Sequence, residues 1–370
     1  MNFSEKRVLI TGACGVTSRT IVRALGRSEY FRHAHFIGTD ICDNPFALYE
    51  GLYEKIYRVP GLQQVQDYQS LIEKICKKER IDAAIVVPEP EVLFWSEREM
   101  PVPALLPPPR FARLAISKAS LYKQLRGTGL VPDFALVDRD QILAGDFGGV
   151  GELPLWIRDF SAGSTSGRGA LCVRHSDEAA AWMTLNFGIE NFMISEYLPG
   201  RNLACLLLFN EGELIKVGTY ERLEYFMAKT VPSGVSGNIC KGRLINDPGV
   251  LEVSRKAVEL LCRATGDRMH GLVTVDLRTD AQDRPKVTEI NLRQVAAASA
   301  FAEVPGANLA EAQLLITLGH AEAAGPLEVT FPDDNRLFRD IDGLPVYVPH
   351  YTPLAVGDCH DSMLEIKDRS

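Results

Sequence analysis

The segment Lys286-Val-Thr-Glu-Ile-Asn-Leu-Arg293 sets an acid and an amide two residues apart in an apolar run. Side chains alternate along a strand, so Glu289 and Asn291 share one face. Upstream, Asp276 lies in Leu272-Val-Thr-Val-Asp-Leu277, a second strand-like run, and Asp280-Ala-Gln-Asp-Arg284 reads as the turn between them. A hairpin folded there brings Asp276 beside Glu289 and Asn291. Two carboxylates and an amide oxygen on one sheet face suit Mg²⁺, a hard cation that takes oxygen ligands and shares them with phosphates. The competing reading is a half-buried hairpin with a polar, solvated face.

The elements that position this hairpin follow from pattern. Arg7-Val-Leu-Ile-Thr-Gly12 is a buried strand entering a glycine turn, followed by a helix from Arg19 to Gly26. Phe36–Asp40, Tyr57–Pro60 and Ile81–Val87 read as further strands, and Asp67–Lys78 as a helix. This alternation predicts a parallel, doubly wound α/β sheet. Gly12-Ala-Cys-Gly-Val-Thr17 lacks the third glycine of a dinucleotide fingerprint, so the first unit is not read as an NAD site. Ile85-Val-Val-Pro-Glu-Pro-Glu91 ends a strand in an acidic turn, with Glu89 or Glu91 toward a substrate or at a solvated helix start.

Met100–Pro109 is proline-rich and cannot continue a helix or a central strand, which places a domain boundary just after it. Ser117 is the expected N-cap of a helix Lys118–Arg126. Pro154–Arg158 and Leu171–Val173 are strands around the glycine-rich loop Ala162–Ala170. That loop is no Walker sequence, but glycines let backbone N–H groups approach an anion. A helix Asp177–Phe187 and strands Phe192–Leu198, Ala204–Phe209 and Glu213–Thr219 follow. Asp247-Pro248 opens a helix that Gly266 stops, and Leu309–Thr317 is a last helix. The tail from Gly319 is proline-interrupted and unassigned.

Composition sets bounds. The chain has 370 residues, 46% hydrophobic and 24% charged, enough for two or three domains with their own cores. A net charge of −8 argues against nucleic acid as the main partner. The eight cysteines include no CxxC pair, which argues against zinc, and several read as reduced core residues. Neither a signal-peptide core nor an apolar run of membrane-spanning length is found, so a cytoplasmic location away from membranes is expected.

The order of these pieces resembles the ATP-grasp superfamily, in particular its carbamoyl-phosphate-synthase-like members and carboxylate–amine ligases. A lysine follows the first boundary (Lys118), a strand ends in a basic residue (Arg158), and a glycine-rich loop comes next. A Glu-Tyr-Leu-Pro-Gly hinge (Glu196–Gly200) and the Glu-Ile-Asn-Leu-Arg hairpin follow. The likeness extends over residues 5–318. It implies α/β and α+β architecture, with a Rossmann-like N-terminal domain (1–115) ahead of a two-subdomain ATP-grasp fold. The small subdomain with the lid is 116–190, the subdomain with the metal site 191–320, and 321–370 an extension of unassigned role.

The resemblance also implies roles. Lys118 and Arg158 take ATP phosphates. Gly163, Ser164, Thr165, Ser166 and Gly167 form the lid over them. Glu196, Tyr197 and Leu198 read adenine, and Asn202 faces the ribose. Asp276, Glu289 and Asn291 hold Mg²⁺, with Mn²⁺ as a substitute. Arg293 faces the transferred phosphoryl group or an acyl phosphate, and Arg222 or Lys229 holds a substrate carboxylate. Two positions depart from the pattern. Arg158 stands where lysine is usual, and Asn202 where a ribose-binding glutamate is usual, which puts the strength of nucleotide binding in question.

The activity implied is ATP-dependent ligation of a small-molecule carboxylate to an amine through an acyl phosphate. Dimers are frequent in this superfamily. The alternatives are a carboxylate or carbamate kinase without ligation, and a non-catalytic nucleotide sensor.

Overall fold

The computed structural model describes residues 3–43, 46–160, 169–340 and 354–361. It is a mixed α/β structure built on three sheets. In the first, strands Lys55–Arg58, His35–Asp40, Arg7–Thr11 and Ala83–Ile85 lie side by side and parallel. Val8, Leu9 and Ile10 are all fully buried, as expected of a strand covered on both faces. The tail returns here, because Cys359–Asp361 pairs antiparallel with Lys55–Arg58 and covers that edge.

The proline-rich run does more than break structure. Its last residues start a helix, Pro109–Ile116, with Pro108 as N-cap. Proline is pre-set for the first helical turn, where its missing N–H has no partner to lose. This helix leads into Lys118–Leu125, capped by the Ser117 side chain, which accepts from the Ser120 N–H.

The second sheet is antiparallel, in the order Phe134–Asp138, Asn191–Glu196, Leu155–Asp159, Leu171–Val173. The helix Ser176–Leu185 packs on it through Ala179 and Met183. Residues 161–168, which follow Leu155–Asp159 and precede Leu171–Val173 and include the expected lid residues Gly163–Gly167, lie outside the described residues.

The third sheet has six antiparallel strands, in the order Pro285–Asn291, Gly271–Thr279, Asn202–Asn210, Glu213–Tyr225, Ile239–Leu244, Leu337–Phe338. Helix Pro248–Thr265 covers one face with Val250, Ala257, Val258 and Leu261. Asp247 caps it through the Val250 N–H, and Gly266 closes it in the left-handed conformation. Under one end of the opposite face lies helix Leu309–Thr317, packed on Leu206 and Leu208. Gly218 permits that approach, since a Cβ there would meet Leu309 of this helix at 2.9 Å, and the Phe301 ring at 2.8 Å. The other end of this face is left open, and the polar side chains gather there.

Among the described residues no helix is long and apolar enough to cross a membrane.

Candidate functional site

The hairpin forms in the register expected from alternation. Asp276 stands directly opposite Glu289, and Thr274 opposite Asn291. The strand beside it places Ala204 against Asp276, and Asn202 faces Arg222 one strand further. Asp276, Glu289, Asn291, Asn202 and Arg222 all line one cavity of about 710 Å³.

The carboxylates are unequal. Arg222 donates to Asp276 at 2.5 Å, and the Asn291 amide approaches its other oxygen at 3.3 Å. Burial pushes the Asp276 carboxyl up to about 6, with Arg222 opposing and Glu289 adding to the rise. Burial disfavours charge on Glu289 as well. There Lys118, with its Nζ 3.4 Å away, and then Arg158 outweigh it and hold the carboxyl down at about 2. The two titrate as a pair, with Glu289 carrying the charge and Asp276 taking the proton first.

This set fits a divalent cation that shares its ligands. Two opposed carboxylates and the Asn291 amide line one cavity, and a cation between them would offset both the burial and the lesser Glu289 repulsion that raise Asp276. Among the described residues, no three His, Cys, Asp or Glu side chains gather as a cage. The remaining ligands therefore have to come from elsewhere, as phosphate oxygens and water do for Mg²⁺.

The basic residues reach the site from other elements. Lys118 opens its helix. Arg158, near the end of its strand, donates to the Thr288 carbonyl at 2.9 Å and lies over the Tyr122 ring at 5.3 Å. Arg293 follows the hairpin and donates to the Gln294 carbonyl at 3.0 Å. All three line the cavity, as do Glu196, Tyr197 and Leu198 of the hinge segment. Tyr197 lies near Trp156, with ring centroids 6.5 Å apart.

Thus Lys118, Arg158, Glu196, Tyr197, Leu198, Asn202, Arg222, Asp276, Glu289, Asn291 and Arg293 meet at one cavity. Lys229 does not line it and is exposed. Arg222 is already engaged, since its guanidinium bonds Asp276, the Asn202 amide oxygen (3.0 Å) and the Leu203 carbonyl (3.2 Å). The strand that carries it runs on to Tyr225, six residues past the expected end, so Glu221–Tyr225 is part of the sheet. Asn202 in turn donates to the Tyr225 hydroxyl at 2.8 Å.

Sequence reasoning offered Glu89 or Glu91 of the first sheet's side as facing a substrate and missed Thr17 as part of the cavity. Thr17, Asp40, Glu89 and Glu91 line it. Asp40 braces two turns by accepting from the Cys14 and Cys42 N–H groups. Glu91 is buried against the Tyr68 hydroxyl at 2.6 Å. The Pro-Glu-Pro-Glu turn was the available signal. It opens a helix, Glu89–Ser96, whose first residue is half-buried at the cavity, whose Pro90 is exposed and whose Glu91 is buried.

No protein-family profile and no curated protein sequence matches the chain. Solved structures do. An L-amino acid ligase from Bacillus licheniformis aligns with a TM-score of 0.61 at 15% identity, over 85% of this chain and 74% of that one. An N5-carboxyaminoimidazole synthetase from Staphylococcus aureus, solved with ADP, gives a TM-score of 0.61 at 12% identity, over 90% and 80%. A protein of Archaeoglobus fulgidus assigned to the ATP-grasp superfamily gives 0.52 at 16% identity, over 84% and 88%. With three sheets in this arrangement and these neighbours, the chain has the ATP-grasp fold.

Proposed function

We propose that the chain is an ATP-dependent carboxylate–amine ligase. The observation that carries this reading is the opposed pair Asp276 and Glu289, with Asn291, in the same cavity as Lys118, Arg158 and Arg293. The ligases among the structural neighbours support it, including the synthetase solved with ADP.

In this reading the parallel sheet is a Rossmann-like first domain, and the second and third sheets are the two ATP-grasp subdomains. Tyr197 and Leu198, with the backbone at Glu196, take adenine, and Asn202 faces the ribose. Lys118 and Arg158 hold phosphate oxygens, with Gly163, Ser164, Thr165, Ser166 and Gly167 as the lid. Asp276, Glu289 and Asn291 would hold Mg²⁺, which would supply neutralisation of phosphate charge. A substrate carboxylate attacks the γ-phosphorus of ATP, and the bond to the bridging oxygen breaks to release ADP. An amine then attacks the acyl carbon, phosphate leaves, and the amine gives up a proton. The protein's contribution is positioning and charge neutralisation more than covalent chemistry. Arg293 steadies the acyl phosphate, and exclusion of water protects it from hydrolysis. Arg222 acts through Asp276 and Asn202, and Lys229 remains a candidate for a substrate carboxylate only if the segment 226–238 closes inward.

The test is mass-spectrometric analysis of nucleotides and products from purified protein given Mg-ATP with pooled amino acids and small carboxylic acids. ADP formed only with the pool, together with a new mass equal to acid plus amine less water, is the expected result. An acyl phosphate trapped by hydroxylamine with no condensed product would leave a carboxylate kinase. Tight ADP binding without any turnover in the pool would favour a nucleotide sensor.

A further inference from the structure

The strand Pro285–Asn291 leaves its sheet at a delicate place. Asn291 is its last residue, and Arg293 follows two positions on. Between them Leu292 is 2% exposed, and its backbone N–H lies past the end of the sheet ladder. A buried N–H without an acceptor costs about 1–3 kcal/mol, so this turn needs an acceptor from outside the hairpin.

The acceptor comes from the first sheet, more than two hundred residues away in sequence. Glu89, first residue of its helix, accepts from the Leu292 N–H at 3.0 Å. Thr17, also from the first sheet's side, receives a long hydrogen bond from Arg293 at 3.4 Å. From the hairpin itself, Thr274 donates to the Arg293 carbonyl at 2.8 Å. The turn Asn291–Arg293 is therefore held from both sides, and the outer hold is a carboxylate lining the cavity itself.

We propose that Glu89 is a positioning residue: by holding the Leu292 N–H it sets Asn291 and Arg293 at the angle that receives the metal–nucleotide complex. This rests on the reading of Asp276, Glu289 and Asn291 as a metal site. It gives the first domain a task at the phosphate end of the cavity without a ligand of its own. Glu89 stands next to a metal ligand's neighbour and supports its backbone, the relation in which outer partners are worth ten- to a hundredfold in metal affinity.

The experiment compares Glu89→Ala and Glu89→Gln with the parent full chain. ADP affinity is measured with Mn²⁺ and again in EDTA, Mn²⁺ occupancy by electron paramagnetic resonance, and melting temperature without ligand. Glutamine keeps an oxygen that accepts from Leu292 and alanine does not. The expected result is a loss of about tenfold or more in the Mn²⁺-dependent gain in ADP affinity for Glu89→Ala. Affinity in EDTA should stay within about twofold, and Glu89→Gln should recover most of the gain. A parent-like gain in Glu89→Ala overturns the proposal, and so does Glu89→Gln failing as badly as alanine. Affinity falling equally with and without Mn²⁺ shows a merely structural role and also overturns it. If the parent chain itself shows no Mn²⁺-dependent gain, the metal-site reading fails and this inference with it.

Discussion

Arg222 and Asp276 form a buried ion pair at 2.5 Å, their side chains 9% and 14% exposed, reaching across the strand Asn202–Asn210 that separates their own strands in one sheet. Each holds the other in a charged form that burial alone would oppose. Replacing Arg222 by methionine leaves Asp276 beside Glu289 with no cation of its own. Breaking such a pair costs about 3–5 kcal/mol. The expected outcome for Arg222→Met is a loss of that order in urea unfolding without metal. Millimolar Mg²⁺ with ADP should recover part of it, since the metal replaces the lost charge. Equal losses with and without Mg-ADP would separate Arg222 from the metal site.

Glu91 gives a pH dependence with a definite sign. Burial lifts its carboxyl from 4.5 to about 7, against the hydrogen bond from Tyr68. Between those values the folded protein binds more protons than the unfolded chain. Stability contributed by this group therefore falls as pH rises through the window and levels off above it, by roughly 3 kcal/mol in total. Glu91→Gln removes the titration and keeps an oxygen for Tyr68. The variant should match the parent near pH 4.5 and exceed it at pH 8, in urea titrations across that range. Parallel stability curves for the two proteins would rule out a buried, raised carboxyl.

Much of this is legible in the sequence. The two-residue alternation of Glu289 and Asn291 and the turn after Asp276 fix a hairpin register, and that register is observed. Helix Leu309–Thr317 and the caps Ser117 and Asp247 also follow from local chemistry. What stayed hidden was long-range. Nothing near Glu89 says that its carboxylate meets Leu292, or near Arg222 that it meets Asp276. The tail strand Cys359–Asp361 is three residues long and gains its order from an edge laid down three hundred residues earlier, so no periodicity marks it. Proline misled in the linker, where helix breaking and helix starting use the same ring.

Gly271, where the strand that carries Asp276 begins, is constrained from two directions. Its φ of +86° favours glycine, and a Cβ there would lie 2.6 Å from the Leu106 carbonyl carbon and 2.7 Å from the Pro107 nitrogen. Both neighbours are backbone of the proline-rich linker and cannot rotate away. Gly271→Ala should lose about 2–4 kcal/mol, combining the left-handed cost with overpacking. Gly127→Ala is the control, because its φ is +76° with nothing within 4 Å. That variant should lose only the conformational part, about 1 kcal/mol. Equal losses in the two would remove the linker contact as a cause.

Glu289 separates chemistry from architecture. Its carboxyl is 34% exposed toward the cavity, faces Lys118 at 3.4 Å and stays ionised because Lys118 and Arg158 surround it. Its pairing is with the Lys118 side chain in the cavity, whereas Glu89 supports the Leu292 backbone. Glu289→Ala should therefore unfold at a urea midpoint close to the parent's, and removing one carboxylate from beside Asp276 offsets the lost pairing with Lys118. The same change takes away the most acidic ligand offered to Mg²⁺ and should abolish more than about 99% of substrate-dependent ADP release, the scale of loss expected when a group that stabilises transition-state charge is removed. Glu289→Asp keeps the charge on a side chain one methylene shorter and should retain part of the activity with a raised Mg²⁺ requirement. Full turnover in Glu289→Ala, read by the same mass-spectrometric assay, would take this residue out of the reaction and move the metal site elsewhere in the cavity.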